Sequence, residues 1–434
     1  MKKTLKLLAF LTLVLFIFFS VLTCDNTDSN SNGNSNSNNN NNNNNNNGNG
    51  NGNGNGNNNG NGEEEEEPES FKISAMEFVS KMGVGWNLGN TLDAPDNFSS
   101  SATLSNMETL WTKVTTTEDL IKAVKDAGFN TIRIPVSWKK AANPNNNYTI
   151  RFDWMYRVQE IVDYAIDNGM YVILNTHHDS GHSSPAPIFK FDNEANTAAS
   201  IEAFTQIWEQ IAELFRDYDE KLIFEPLNEP RTPDNDWSGN AEKYENLNRH
   251  YQAFVDTVRE NGSNNRFRFF IFNTYAASRS ANPMNGLVLP EDTANDKLIV
   301  SYHAYVPDSF AFGGLPGTTR GDTVNWSVTG REGRDATDIT APMDRFYEKF
   351  VTEGIPVIIG ETGATNKDNE AARAAWAEYY VKSAKERGMR VVIWDNAKTA
   401  SGSSNNNELY GLLDRLTKKI IFEELMAGLL KGLE

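Results

Sequence analysis

IFEPLNEPR, Ile223 to Arg231, is the stretch from which the rest of the chain is read. Leu222 to Pro226 is a short, nearly unbroken apolar run, the pattern of a strand buried on both faces. Asn228 and Glu229 follow at the strand end, and Pro230 forces the chain out of any continuing ladder. A glutamate delivered by a buried strand to the edge of a core contributes little to stability. Its position points to chemistry and implies a partner. Glu225 precedes the strand end and is expected to point into the core, held by hydrogen bonds.

Seven similar runs flank this one: VGWNL (Val84–Leu88), TIRIP (Thr131–Pro135), YVILN (Tyr171–Asn175), FRFFIFN (Phe267–Asn273), LIVSYH (Leu298–His303), PVIIG (Pro356–Gly360) and RVVIW (Arg390–Trp394). Helices are predicted at Leu120–Ala127, Trp154–Asp167, Ile201–Tyr218 and Tyr244–Glu260, with Gly128, Gly169 and Gly262 as stop signals, and a last helix at Thr417–Leu430. Short buried strands alternating with helices imply an α/β fold, and eight of them over this length imply a (β/α)8 barrel. No GxGxxG or GxxxxGK(S/T) motif follows any run, so nucleotide-binding signals are absent.

The foldable part is shorter than the 434 residues. Lys2, Lys3 and Lys6 precede an apolar run from Leu7 to Leu22, the pattern of an export signal. VLTC, ending at the chain's one cysteine, resembles a permissive lipobox. Residues 1–24 are therefore expected to be a lipoprotein-type signal that leaves Cys24 lipidated. Residues 25–62 are almost wholly Asn, Gly, Ser, Asp and Thr, and Glu63 to Glu67 add like charge, so 25–70 is expected to be a disordered tether. Residues 71–434 remain as one globular domain, expected to be a monomer. They carry −13 of the formal −18, since residues 1–70 hold three basic and eight acidic side chains. That balance argues against nucleic acid as a partner and fits a secreted or cell-surface protein outside the cytoplasm with a neutral partner.

The barrel reading predicts that chemistry collects at the C-terminal ends of the strands. Arg133, His177, His178, Asn228, Glu229, His303, Tyr305, Glu361 and Trp394 all lie at or just past such ends. Glu229 after the fourth strand and Glu361 after the seventh can face each other across a barrel mouth. At ~5–5.5 Å, one would protonate a leaving oxygen while the other attacks an anomeric carbon. Asn228 is suited to a sugar 2-hydroxyl, Arg133 and Tyr305 to holding Glu361 ionised, and His303 to bonding Glu229. Trp394 offers a flat face for a pyranose ring. Trp237 and Trp326 are equally readable as sugar platforms or as packing residues.

HHDSGH, His177 to His182, invites a metal reading. Adjacent histidines on an extended segment point to opposite sides, and no HExxH or Cys–His pattern supports zinc, so no metal or other cofactor is expected and His182 is read as a loop residue. The competing functions are an inactive glycan-binding barrel, disfavoured by the presence of both glutamates, and a metal-dependent hydrolase.

The motifs resemble those of glycoside hydrolase family 5, the cellulases, and in particular its subfamily-4 endo-β-1,4-glucanases. They are GWNLGNTLDA (Gly85–Ala94), IRIPVSW (Ile132–Trp138), VILNTHHD (Val172–Asp179), IFEPLNEPR, SYHAY (Ser301–Tyr305), VIIGETGA (Val357–Ala364) and VIWDN (Val392–Asn396), in the family's order. The resemblance implies a retaining endo-β-1,4-glucanase acting on cellulose-like or mixed-linkage glucan, with xyloglucan, xylan or mannan as alternative main substrates. It makes Glu229 the acid/base and Glu361 the nucleophile. Arg133, His177, Asn228, His303, Tyr305 and Trp394 then form the surrounding shell, and Asn90, Asp93 and His178 contact sugars on the non-reducing side. The chain departs from its relatives after Trp111, where Thr-Lys-Val stands in place of a WGNP-like turn.

Overall fold

The computed structural model describes residues 66–181, 185–314, 319–400 and 408–434. All belong to one compact unit, Glu64–Glu434. The export signal, Cys24, the Asn-rich tether through Glu65, and His182 lie outside the described residues.

Eight parallel strands close into a barrel in which each neighbours the next in sequence. They are β1 (Gly85–Leu88), β2 (Thr131–Ile134), β3 (Tyr171–Asn175), β4 (Leu222–Glu225), β5 (Phe270–Asn273), β6 (Leu298–His303), β7 (Val357–Thr362) and β8 (Arg390–Asp395). A helix Ala75–Lys81 (α1) precedes β1. A helix follows each strand in turn: Glu118–Asp126 (α2), Phe152–Asp167 (α3), Glu194–Phe215 (α4), Ala241–Glu260 (α5), Ala281–Gly286 (α6), Arg334–Lys349 (α7), Glu370–Glu386 (α8) and Glu423–Lys431 (α9). The (β/α)8 reading holds, as do all eight strands.

The pleat sorts each strand's residues between two cores. Outward side chains such as Trp86, Ile132, Leu174, Phe224, Phe272 and Tyr302 pack against the helices in the larger core. Inward side chains Ile173, Ile223, Ile271, Ile299, Ile358 and Val392 form a second, dry cluster inside the barrel. Helix α1 plugs it from below: Ser74 caps the helix through the Glu77 N–H, and Phe78 stacks on Phe269 with ring centroids 4.0 Å apart.

Several boundaries differ from expectation, and four of the shifts have a local reason. The last helix starts at Glu423, not Thr417, because Leu413–Asp414 and Lys419–Ile420 form an antiparallel hairpin. Asp414 Oδ1 accepts the N–H groups of Leu416 and Thr417, and Lys418 takes a φ of 62° that no helix continues. Helix α4 begins at Glu194, seven positions before Ile201, because Asn193 caps the Asn196 N–H. Helix α5 likewise starts early, capped by Asn240 on Lys243. Strand β5 starts at Phe270 rather than Phe267, since Arg268 is turned aside to donate to the carbonyls of Phe215, Tyr218, Asp219 and Leu222.

Candidate active site

One step up each strand the barrel interior changes from apolar to polar. Asn175, Glu225, Asn273, Ser301, Gly360 and Trp394 stand two residues beyond Ile173, Ile223, Ile271, Ile299, Ile358 and Val392. Arg133 from β2 ties this layer together with no exposed surface. Its guanidinium donates to Glu225 at 2.6 and 3.2 Å, to Asn87 Oδ1 at 2.9 Å, to Asn228 Oδ1 at 2.7 Å and to Glu361 at 2.8 Å. Burial alone would make Arg133 less basic, but Glu225 and Glu361 outweigh it and keep the cation charged. Glu225 also accepts from Asn175 and Asn273, which is the held, inward position expected of it.

Above this layer lies a cavity of about 1110 Å³, lined by Glu229, Glu361, His177, His178, Asn228, His303, Tyr305, Trp394 and Asn90 among others. Glu361 reaches it through a β-bulge. Tyr302 pairs with Ile359 and His303 with Glu361, so Gly360 is an extra residue that re-aims the glutamate. His303 Nδ1 lies 3.1 Å from Glu229 Oε1 and 3.6 Å from Glu361 Oε2, and the two carboxylates and the imidazole offer atoms within 4.8 Å of one another. Tyr305 donates its hydroxyl to Glu361 at 3.0 Å, and Arg231 reaches Glu229 Oε2 at 3.0 Å. Asn228 has its carbonyl oxygen on Arg133, which turns its amide hydrogens to the remaining neighbours, the open cavity among them.

The two glutamates are polarised in opposite senses. Burial pushes Glu361 up, against the pull of His303 and Arg133, and the charge of Glu229 adds to the rise. Burial pushes Glu229 the same way, but the His303 hydrogen bond and charge, with Arg231 and His178, hold it down to about 2. Burial keeps His177 well below the usual imidazole range and His178 down to about 4, so both rings are neutral at physiological pH.

Several expectations are refined. The His177 and His178 rings do not diverge: their centroids are 4.5 Å apart at 78°, because the chain leaves β3 at this point and both rings turn to the cavity. A carboxylate oxygen of Asp93 and the rings of His177 and His178 offer atoms within 4.8 Å of one another, a group that could hold a cation. Asp93 itself is fully buried. Its carboxylate accepts the N–H groups of Asn90 and Thr91, so it shapes the loop that presents Asn90, whose φ is 58°. Trp394 stacks parallel on His177 at 5.7 Å, and a side chain at Gly89 would sit 2.7 Å from its ring. The two uncertain tryptophans separate: Trp237 lines the cavity under the Arg231 guanidinium, 4.0 Å from its ring, whereas Trp326 packs in the core against Tyr379.

Other cavity residues were not singled out from sequence. Trp111, noted only as the point of departure from relatives, is 44 % exposed at the rim and meets His178 edge-on. An exposed tryptophan in a strand-end loop was the available signal. Arg231 sits next to the opening motif's glutamate, so adjacency alone marked it. Phe312, Arg320 and Tyr410 come from distant loops, and only the fold brings them to the cavity.

A closed parallel barrel with two glutamates converging on one imidazole at its mouth defines a barrel glycoside hydrolase. The profile of the family described as "Cellulase (glycosyl hydrolase family 5)" matches residues 95–400. Endoglucanase A of Clostridium longisporum is 39% identical over 363 residues, which cover 83% of this chain and 66% of that protein. Among solved structures, a GH5-4 broad-specificity endoglucanase from Ruminococcus champanellensis with bound cellotriose is 38% identical at a TM-score of 0.74, covering 83% of this chain and 99% of that one. A GH5 family lichenase from a Caldicellulosiruptor species is 39% identical at a TM-score of 0.77, covering 83% and 96%. This chain belongs to glycoside hydrolase family 5, the cellulases, and its barrel is a hydrolase of the endo-1,4-β-glucanase kind.

Proposed function

We propose that the whole chain is a retaining endo-β-1,4-glucanase that cuts internal bonds of cellulose-like or mixed-linkage glucans, with Glu229 as acid/base and Glu361 as nucleophile. The observation that carries this is the convergence of both carboxylates on His303, with oxygens within 4.8 Å of one another. Oxygens this close favour the ~5–5.5 Å carboxylate spacing of direct attack over the ~6.5–9.5 Å that an interposed water needs. Glu361 attacks the anomeric carbon as Glu229 protonates the departing glycosidic oxygen. Glu229 then takes a proton from the water that releases the covalent glycosyl-enzyme.

The two carboxylates by themselves have the proton affinity the other way round, highest on Glu361. An oxocarbenium-like sugar beside Glu361 brings the positive charge that favours its ionised form, which the Arg133 and Tyr305 donors already face. The proton is then left to Glu229. The Asn228 amide is suited to the sugar 2-hydroxyl, and Trp394, braced by His177, to a pyranose face. Trp111 and Trp237, both in the cavity lining, are suited to serve as sugar platforms.

The cellotriose bound by one neighbour and the lichenase name of another support β-glucans as substrates. A panel of carboxymethylcellulose, barley β-glucan, xyloglucan, xylan and glucomannan tests this against Glu229→Gln and Glu361→Gln. We expect wild-type activity on at least one glucan and losses of several orders of magnitude in both variants. Full activity in either, or early products of inverted configuration, overturns the assignment. Outside the cytoplasm, the enzyme would be held by Cys24 as a lipid anchor and act as a monomer. Incorporation of labelled palmitate, lost in Cys24→Ala, checks the anchor.

A further inference from the structure

Three buried polar atoms of the barrel interior have no hydrogen-bond partner among the described residues: Asn273 Oδ1, Ser301 Oγ and His303 Nε2. They are neighbours. Asn273 and Ser301 are paired across β5 and β6, and Ser301 and His303 lie two apart on β6, on the same face. Asn273 and Ser301 have no exposed surface and His303 has 6 %. Leaving a buried polar atom unpaired is costly, so three together point to a shared bridge.

Gly360 is where two of the three atoms converge. Its backbone does not need a glycine, since its φ is not positive. A Cβ there would instead stand 2.8 Å from Ser301 Oγ and 3.1 Å from His303 Nε2, so only the hydrogen of a glycine lets both atoms converge on this point of the backbone. A water seated above it would meet a hydroxyl, an imidazole nitrogen and an amide oxygen, within the 2–4 bonds that buried waters make. The other ring nitrogen, Nδ1, faces carboxylates only, Glu229 at 3.1 Å and Glu361 at 3.6 Å, and therefore needs its hydrogen.

We propose that Ser301 is a positioning residue that, through a water over Gly360, holds His303 with its Nδ1–H on Glu229 and so sets the acid/base group. Ser301 touches no substrate. Its effect is relayed along Asn273–Ser301–His303, a chain that also reaches Glu225 through the Asn273 amide. The charged and titratable groups that bear on the His303–Glu229 pair are Glu361 from β7, Arg231 from the loop after β4, His177 and His178 after β3, Arg133 from β2 and Tyr305 after β6. All remain when Ser301 is changed, so a shift in that variant reports the relay.

The inference rests on the acid/base role of Glu229, and its test separates the two. Full-length protein labelled with 15N-histidine is compared as wild type, Ser301→Ala and Ser301→Thr; threonine keeps the hydroxyl that bonds the water. In Ser301→Ala we expect the His303 Nδ1–H signal to weaken or move. We also expect kcat/KM on cellotetraose to fall roughly tenfold, a part of the ~10²–10⁴ that general acid catalysis supplies, with the basic limb of its pH profile displaced. kcat/KM on 2,4-dinitrophenyl cellobioside, whose leaving group needs no proton, should stay within about twofold, and threonine should restore both readouts. An unchanged His303 signal overturns the positioning role, whatever Glu229 does. A moved signal with equal losses on both substrates upholds the role of Ser301 and overturns Glu229 as the acid.

Discussion

The floor and the mouth of the barrel are built by the same strands two residues apart, yet they obey opposite rules. The floor is Ile173, Ile223, Ile271, Ile299, Ile358 and Val392 closed by Phe78, with nothing to hydrogen-bond and nothing to titrate. The layer above is Asn175, Glu225, Asn273, Ser301, Gly360 and Trp394, stitched by an arginine with no exposed surface. The floor gains stability from area removed from water and tolerates any well-packed apolar set. The upper layer buries charge, which is weak as a source of stability but fixes geometry. The molecule keeps rigidity and reactivity apart by one step of the pleat.

The largest effect should follow from breaking that stitch. Arg133→Met leaves Glu225 buried with no cation and should destabilise the domain by about 3–5 kcal/mol, besides abolishing activity, as read by urea unfolding and substrate turnover. Adding Glu225→Gln in the same chain removes the stranded charge. It should recover much of the stability and none of the activity, because Glu361 still lacks its donor. Recovery of activity in the double variant would show that Arg133 serves packing and not the nucleophile.

Below the stitch the pattern should invert. Ile223→Ala on the floor should cost about 2–5 kcal/mol by opening a cavity, with kcat/KM at 25 °C within about twofold of wild type. A large drop in turnover of the folded protein would mean that floor and mouth are mechanically coupled.

The contrast also explains how much was legible in the sequence. The eight strands were readable because both faces are apolar at the floor, and the catalytic candidates because polar residues interrupt that pattern only at strand ends. Glu225 was read as structural from its place before the strand end, four residues ahead of Glu229. Three things were not readable. The bulge at Gly360 that turns Glu361 inward is a register shift with no mark of its own beyond a glycine. The shared direction of His177 and His178 depends on where β3 ends, and an alternation rule applied past that end gave the wrong answer. The last helix was drawn six residues too long because helical periodicity does not register the side-chain bonds by which Asp414 closes a hairpin.

The smallest effect expected concerns Arg231, which joins the mouth to the exposed rim. Its guanidinium lies 3.0 Å from Glu229 Oε2 on one side and 4.0 Å from the Trp237 ring on the other. A cation there favours the ionised carboxylate, and with His303 it holds Glu229 at about 2 against burial. If Glu229 is the acid, the first step consumes the form in which the Glu229–Glu361 pair holds one proton and Glu229 carries it, so kcat/KM falls as pH rises through the last ionisation of the pair. Arg231→Ala removes one of the charges that depress it and should move the basic limb of kcat/KM upward by on the order of one pH unit. The stability sign agrees. A folded-state pKa below the ordinary 4.5 stabilises the fold above that value and is lost as pH falls toward 2, so the same variant should lose less stability than wild type on acidification. Trp237→Ala is the control: it removes the ring and keeps the charge, so KM should rise several-fold with the limb in place. If the limb moves in Trp237→Ala and not in Arg231→Ala, the rim acts on Glu229 through the shape of the cleft, and the separation of charge from packing drawn for the floor and the mouth does not extend to the rim.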